Sequence, residues 1–273
     1  MQKQNYNTMI SPLAYVDPKS KIGKDVIIHP FAYIDADVVI GDGCEIKPYA
    51  SVMHYTVLGK GVKVYQGSVV GADPQDFRWK PGEEALCTIG DDTIIREHVI
   101  INRGFRREGG TIIGSRSIIC AKSHIGHDSQ IVSGCVIGNS VNVAGEVTID
   151  HGTILSSNVV VHENSTIGKY VLIKGGTRIS SNVPPYVIMA HNPVTYYGVN
   201  SIIMGKRCGF SEEVIDDIAK AYRHIYQSST SVFNALRRIE ADIADTPERA
   251  EILKFVREHD MKLAGNRFDT EIL

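Results

Sequence analysis

From Ile10 to Ile179 an aliphatic side chain returns at nearly every sixth position. The series runs Ile10, Val16, Ile22, Ile28, Ile34, Ile40, Ile46, Val52, Leu58, Val64 and Val70, and resumes at Ile89, Ile95 and Ile101. It breaks at Arg107 and continues in the same stride from Ile113 to Ile179. Neither the 3.6-residue period of a helix nor the two-residue period of a hairpin strand sustains such a beat. A triangular coil does. Each hexad supplies one short strand and one corner, three hexads close a turn of about 18 residues, and the aliphatics fill the prism. One hexad cannot bury its own apolar face, so stability comes from stacked neighbours. The residue after the aliphatic is often glycine, as at Gly23, Gly41, Gly126, Gly138 and Gly168. Its missing Cβ is expected to let the chain bend at the corner.

Two stretches leave the beat. Residues 72–88 carry charges, Pro81 and the sole tryptophan, Trp79, and residues 102–112 interrupt without changing phase. Both read as loops projecting from a rigid scaffold, where function commonly resides. The composition then shifts. Of 25 glycines, only Gly205, Gly209 and Gly265 follow residue 200, and the tail reads as helices. Ser211 is a candidate N-cap before Glu212 and Glu213, a second helix begins near Ser231, and Thr246-Pro247 opens a third. The expected organisation is an N-terminal extension over 1–9, the β-helix over 10–190 and a helical domain over 191–273. The helices would close the open end of the solenoid.

Charge and cysteine content narrow the function. With 29 Lys+Arg against 31 Asp+Glu, no bulk field favours nucleic acid or an anionic membrane. Cys44, Cys87, Cys120, Cys135 and Cys208 are odd in number and lack metal-ligand spacing, which suits reduced thiols in a cytoplasm. The N-terminal residues show no signal peptide, and no apolar run is long enough to span a bilayer. Val26, Val38 and Val99 suggest prism sides that stay partly apolar and pack against other copies.

The sharpest local feature is Lys122-Ser123-His124-Ile125-Gly126-His127-Asp128. His127 follows a core aliphatic by two places and belongs on a corner. Positions three hexads apart stack, so Gly145 lies above it at about the 4.8 Å spacing of paired strands. His162 comes near the same corner one coil further, and position 107 is expected one coil below. An imidazole can take the proton of a sugar hydroxyl during attack on an acyl group. Asp128 could fix its tautomer, and the Gly145 N–H could stabilise the oxyanion. Direct attack then needs neither a Ser or Cys nucleophile nor a cofactor.

The hexads resemble the left-handed parallel β-helix of the bacterial hexapeptide-repeat acyltransferases, and the hand is implied by that resemblance. More closely, the chain is similar to the acyl-[acyl-carrier-protein]–UDP-N-acetylglucosamine O-acyltransferase family from Met9 to about residue 226. The matching stretches include PQDFRW around Asp76, INRG at 101–104, SHIGHD at 123–128 and AGEV at 144–147. Further matches are VVHE at 160–163, VPPYVI at 183–188, YGVN at 197–200 and KRCGFS at 206–211. The resemblance implies a cytoplasmic homotrimer with active sites in clefts between neighbouring prisms. The acyl donor would be acyl carrier protein with its phosphopantetheine arm, and the acceptor the 3-OH of UDP-N-acetylglucosamine or a related UDP-amino sugar. That reaction opens lipid A biosynthesis. His127 is implied as base, Asp128 as its partner and Gly145 as oxyanion donor. Asp76, Arg78, His124, His162, Glu163, Asn200 and Arg207 match substrate-contacting positions, and Gly175 the position that limits acyl length.

Some positions depart from the family. Glu146 stands where many members have His, Glu163 where Gln is common, Cys208 for a second Arg and Arg78 for a Lys. The added carboxylates leave open N-acylation of a 3-amino sugar. Competing readings are a sugar N-acyltransferase using coenzyme A, a γ-carbonic-anhydrase-like zinc protein, which needs three convergent His ligands, and a non-catalytic hexapeptide scaffold.

Overall fold

A computed structural model of the chain describes residues 7–228, 230–259 and 262–265. The aliphatic beat folds as a left-handed parallel β-helix of about ten turns followed by helices. Three parallel faces share the coils. The first starts at Met9–Ile10 and Ile27–Ile28, the second at Tyr15–Val16 and Tyr33–Ile34, the third at Lys21–Ile22 and Val39–Ile40. Each coil is three hexads, as the pairs Met9↔Ile27 and Tyr15↔Tyr33 show. From Ile28 onward the aliphatics of the beat, among them Ile46, Ile95 and Ile125, are at most 1 % exposed, whereas Ile10 in the first coil is 46 % exposed. Each such side chain contributes about 1.5–3 kcal/mol on burial.

A second buried position precedes each of these aliphatics by two places. Val26, Val38 and Val99 occupy it and are fully buried. They fill the corners from inside and supply no outward apolar surface, contrary to the expectation from sequence. The exposed apolar side chains are others: aromatics near the N-terminal end, where Tyr15 stacks on Tyr33 and Phe31 on Tyr49, and aliphatics along the prism sides at Val57, Ile100, Ile118, Val132 and Val160.

The corner mechanism also differs from the expected one. The chain turns through a left-handed residue three places after the aliphatic, as at Asp25, Phe31, Asp128, Glu146 and Asn164, with φ of 56–63°. The glycine beside the aliphatic serves vertical stacking. A Cβ on Gly41, Gly126 or Gly138 would lie 2.6–2.7 Å from backbone atoms of the next coil.

Both loops leave the prism at one edge, between the second and third faces. Leu58 pairs with Ile89, where an uninterrupted coil would bring Asp76 onto that rung, so the first loop is extra chain looped out of the stack. Ile101 pairs with Ile125, where an uninterrupted coil would bring Ile119. The second loop therefore adds the length of one hexad and preserves the phase.

Beyond the last coils, Val187–Ala190 extends the first face and pairs antiparallel with Thr195–Val199. Helices α1 (Ser201–Lys206), α2 (Glu212–Tyr222), α3 (Val232–Asp242) and α4 (Pro247–His259) follow. Ser211 and Ser231 cap α2 and α3 by accepting from the Val214 and Asn234 N–H groups, and Thr246 accepts from Arg249 ahead of Pro247. Ile218 and Tyr222 are buried, and the Tyr222 hydroxyl donates to the Pro185 carbonyl at 2.5 Å, tying the helices to the coil end. The short helix α1 and the Thr195–Val199 strand carry no signal in the hexad beat.

Candidate active site

His127 sits on the loop-bearing edge, in the corner between His124–Ile125 and Gln130–Ile131. Its Nδ1 is 2.9 Å from Asp128 Oδ2. The left-handed φ of Asp128 (60°) aims its carboxylate back at the ring it follows. Oδ1 of the same carboxylate accepts from the Arg106 and Arg107 backbone N–H groups at 2.8 and 2.7 Å. Burial pushes the Asp128 carboxyl up, but the His127 hydrogen bond and the backbone donors of Arg107, Arg106 and Phe105 outweigh it. The group therefore stays below its ordinary value, an anion at neutral pH. An anion at Nδ1 keeps the proton there and leaves Nε2 as the basic nitrogen.

Gly145 stacks on His127 as the three-hexad coil requires. A Cβ there would lie 2.6 Å from His127 Nε2. Its N–H donates to no acceptor among the described residues, which leaves an unengaged donor on the edge that carries His127. A cleft of about 530 Å³ opens here, lined by Gln75, His124, His127, Gly145, His162 and Glu163 among others.

The first loop folds back over the same point. Asp76 Oδ2 lies 3.5 Å from His127 Nε2, and its side chain is 3 % exposed. The Arg78 guanidinium, bonded to Asp76 Oδ1 through Nε at 2.9 Å, holds that carboxyl down to about 2. Arg78 also comes within 3.7 Å of Glu146. His124 Nε2 meets Asn102 Oδ1 at 2.6 Å, and Asn102 donates in turn to the Asp73 carbonyl at 2.5 Å. Burial, with the neighbouring His127, pushes His124 below its ordinary value and keeps it neutral. His162 Nε2 accepts from Arg178 Nε at 2.8 Å, so that nitrogen is engaged.

Most of the expected residues thus share one edge: Asp76, Arg78, His124, His127, Asp128, Gly145, His162 and Glu163. Three do not. Asn200 is buried and donates to the Tyr170 carbonyl at 2.9 Å, at the edge between the third and first faces. Arg207 follows α1 directly. Gly175 lies between Leu172–Ile173 and Arg178–Ile179, on the remaining edge. Its φ is ordinary, whereas Gly176 carries the left-handed φ of 72°.

Position 107 is not one coil below His127. The added hexad puts Arg103 on that rung, 5 % exposed, where it bonds the His54 carbonyl at 2.9 Å and pairs with Asp73. Arg107 reaches upward instead, to the Glu146 carbonyl at 2.7 Å and the Thr148 hydroxyl at 3.2 Å. Spacing could not reveal this, because an insertion one hexad long leaves the phase of a hexad beat unchanged. Among the described residues no three His, Cys, Asp or Glu side chains converge as metal ligands.

A left-handed β-helix with a His–Asp pair and a stacked glycine on one edge defines a hexapeptide-repeat acyltransferase. Residues 37–72 match the bacterial transferase hexapeptide family and residues 182–264 the second domain of UDP-N-acetylglucosamine O-acyltransferase. The acyl-[acyl-carrier-protein]–UDP-N-acetylglucosamine O-acyltransferase of Chlorobaculum parvum is 52 % identical over 71 % of this chain and 73 % of its own. The same enzyme of Aquifex aeolicus is 46 % identical over 76 % and 78 %. The solved UDP-N-acetylglucosamine acyltransferase of Bacteroides fragilis superposes with a TM-score of 0.89 at 45 % identity, covering 92 % of this chain and 98 % of that one. This chain belongs to the acyl-[acyl-carrier-protein]–UDP-N-acetylglucosamine O-acyltransferase family.

Proposed function

We propose that this enzyme transfers a fatty acyl group, of the 3-hydroxy type in the family reading, from acyl carrier protein to the 3-OH of UDP-N-acetylglucosamine, the first step of lipid A biosynthesis. The observation that carries the mechanism is an imidazole fixed at Nδ1 by an anionic Asp128, with Nε2 turned to the stacked Gly145 and 3.5 Å from Asp76 Oδ2. His127 Nε2 takes the proton of the sugar hydroxyl as its oxygen attacks the thioester carbonyl. The Gly145 N–H stabilises the resulting oxyanion. On collapse the C–S bond breaks, the ester C–O bond remains, and the imidazolium returns its proton to the departing phosphopantetheine thiolate. Asp76, 3.5 Å from Nε2, accepts from the acceptor sugar and holds it in line. His124, His162, Glu163 and Arg78 bind along the cleft. No cofactor takes part.

The test is mass spectrometry of product from UDP-N-acetylglucosamine and a panel of acyl carrier protein thioesters. The expected product is an alkali-labile ester; no product, or an alkali-stable amide formed only with a 3-amino sugar, would overturn the assignment. Glu146 is already paired with arginines, so an amine acceptor would rest on Glu163 alone.

Asn200 and Arg207 lie away from His127, and a homotrimer gives them a place by closing each cleft with a neighbouring copy. Gly175, on the third edge, leaves room for an acyl tail: a Cβ there meets only the Ser157 carbonyl at 3.1 Å and Ser156 Cβ at 4.0 Å. Sedimentation at micromolar concentration is expected to give about three times the 30.0 kDa protomer mass, and a purely monomeric species would exclude the trimer. A cytoplasmic location fits the five free cysteines. Burial raises the Cys44 thiol to about 11 and those of Cys87 and Cys135 to about 12, so none of these three is poised for oxidation. Among the described residues no helix is long and apolar enough to cross a membrane.

A further inference from the structure

Glu146 occupies the left-handed corner position directly above Asp128, with φ of 62°. Four connections run from it. Its N–H donates to the His127 carbonyl at 2.9 Å, and its own carbonyl accepts from Arg107 at 2.7 Å. Its carboxylate pairs with Arg106 and lies 3.7 Å from Arg78. Arg106 and Arg107 are the two residues whose backbone N–H groups hold Asp128 Oδ1. Arg78 is the residue that grips Asp76. Each carboxylate flanking the His127 ring, Asp128 at Nδ1 and Asp76 at Nε2, is therefore held by a residue that is itself tied to Glu146.

We propose that Glu146 is a positioning residue that locks the two loops together and so fixes Asp128 and Asp76 on opposite sides of His127. It touches none of the reacting atoms in the mechanism above, on which this inference rests. Both arginines keep more than a third of their side-chain surface exposed, and ion pairs of that kind add little to global stability. What such a lattice does is restrict geometry. At their bases the loops are already joined, by the pairs Ala72↔Asn102 and Cys87↔Thr111, by the Leu86↔Gly104 bridge and by the bonds of Asn102 and Arg103 to Asp73. Glu146 adds, from the coil above, a tie between Arg78 and Arg106 in the middle of each loop, away from those bases.

The measurement is steady-state kinetics on Glu146→Gln, Arg106→Gln, the double variant and Glu146→Asp, with His127→Ala alongside. Glu146→Gln is expected to lower kcat about tenfold with KM for the nucleotide sugar within about threefold, because alignment rather than ground-state binding is lost. The double variant should be no slower than the slower single one, since the two side chains belong to one network. Glu146→Asp, which keeps the charge, should recover most of the lost kcat, and melting temperatures should stay within a few degrees of the parent protein. Wild-type kcat in Glu146→Gln would overturn the inference. So would multiplicative losses in the double variant, or a fall in melting temperature with kcat per folded protein unchanged. Turnover retained in His127→Ala would overturn the underlying mechanism and this inference with it; a failure confined to Glu146 leaves that mechanism standing.

Discussion

Replacing His127 by alanine should reduce kcat by about 10²–10⁴-fold while leaving the protein folded. That range corresponds to about 3–5 kcal/mol of lost transition-state stabilisation. No other group described on the edge can substitute. His124 is half-buried, neutral and bonded to Asn102, and His162 Nε2 is occupied by Arg178. Asp76 is close enough to Nε2, but a carboxyl held at about 2 is too weak a base for a sugar hydroxyl. The fold should survive because Ile125 and Ser129, which fill the corner, are untouched, and Asp128 keeps the backbone N–H groups of Arg106 and Arg107. The check is single-turnover kinetics with circular dichroism on the same sample, and wild-type turnover in a folded variant would remove His127 from the mechanism.

Gly145→Ala should be nearly as damaging, for a steric reason. The new Cβ would lie 2.6 Å from His127 Nε2, 2.8 Å from Cε1 and 3.1 Å from Cδ2, so the ring must swing aside. The backbone N–H of residue 145 survives the substitution, and the loss therefore measures imidazole placement rather than the oxyanion donor. Displacement by about 1 Å can cost about a hundredfold, and a fall of that size in kcat is expected. The His127 ring resonances in an NMR spectrum should move, reporting the strained or broken 2.9 Å contact with Asp128. Activity within a factor of about three of the parent would show that the coil can relax enough to admit the methyl group.

The stride of Ile and Val fixed the prism, its three-hexad coil and the stacking of Gly145 on His127, because side-chain burial in a solenoid repeats with the backbone. Details set by backbone conformation were less legible. The left-handed corner accepts Asp, Asn, Glu and aromatic residues as well as glycine, so glycine did not mark it. Val26 and Val38 read as candidates for an outer face, yet the corner geometry turns them inward. The second loop interrupted the beat without shifting its phase, and so concealed that Arg103, not Arg107, occupies the rung below His127. Asp76 entered through the family motif alone, since nothing in a long excursion from the stack says where its side chain returns. The link from Glu146 to Arg78 and Arg106 joins distant positions through two loops, and no periodicity predicts it.

The two ends of the column are unlike, and that asymmetry gives the molecule a direction in which it loosens. The first coil has no described neighbour beneath it, and Met9 and Ile10 are about half exposed; at the far end Tyr186, Met189 and Tyr222 are sealed. In a stacked array each coil is stabilised by its neighbours, so fraying begins at the open end and advances one rung at a time. Asp76 belongs to the fourth coil and His127 to the sixth. Three coils can therefore melt before the first catalytic contact is disturbed, and the lowest part of the solenoid acts as a sacrificial plinth for the chemistry above it.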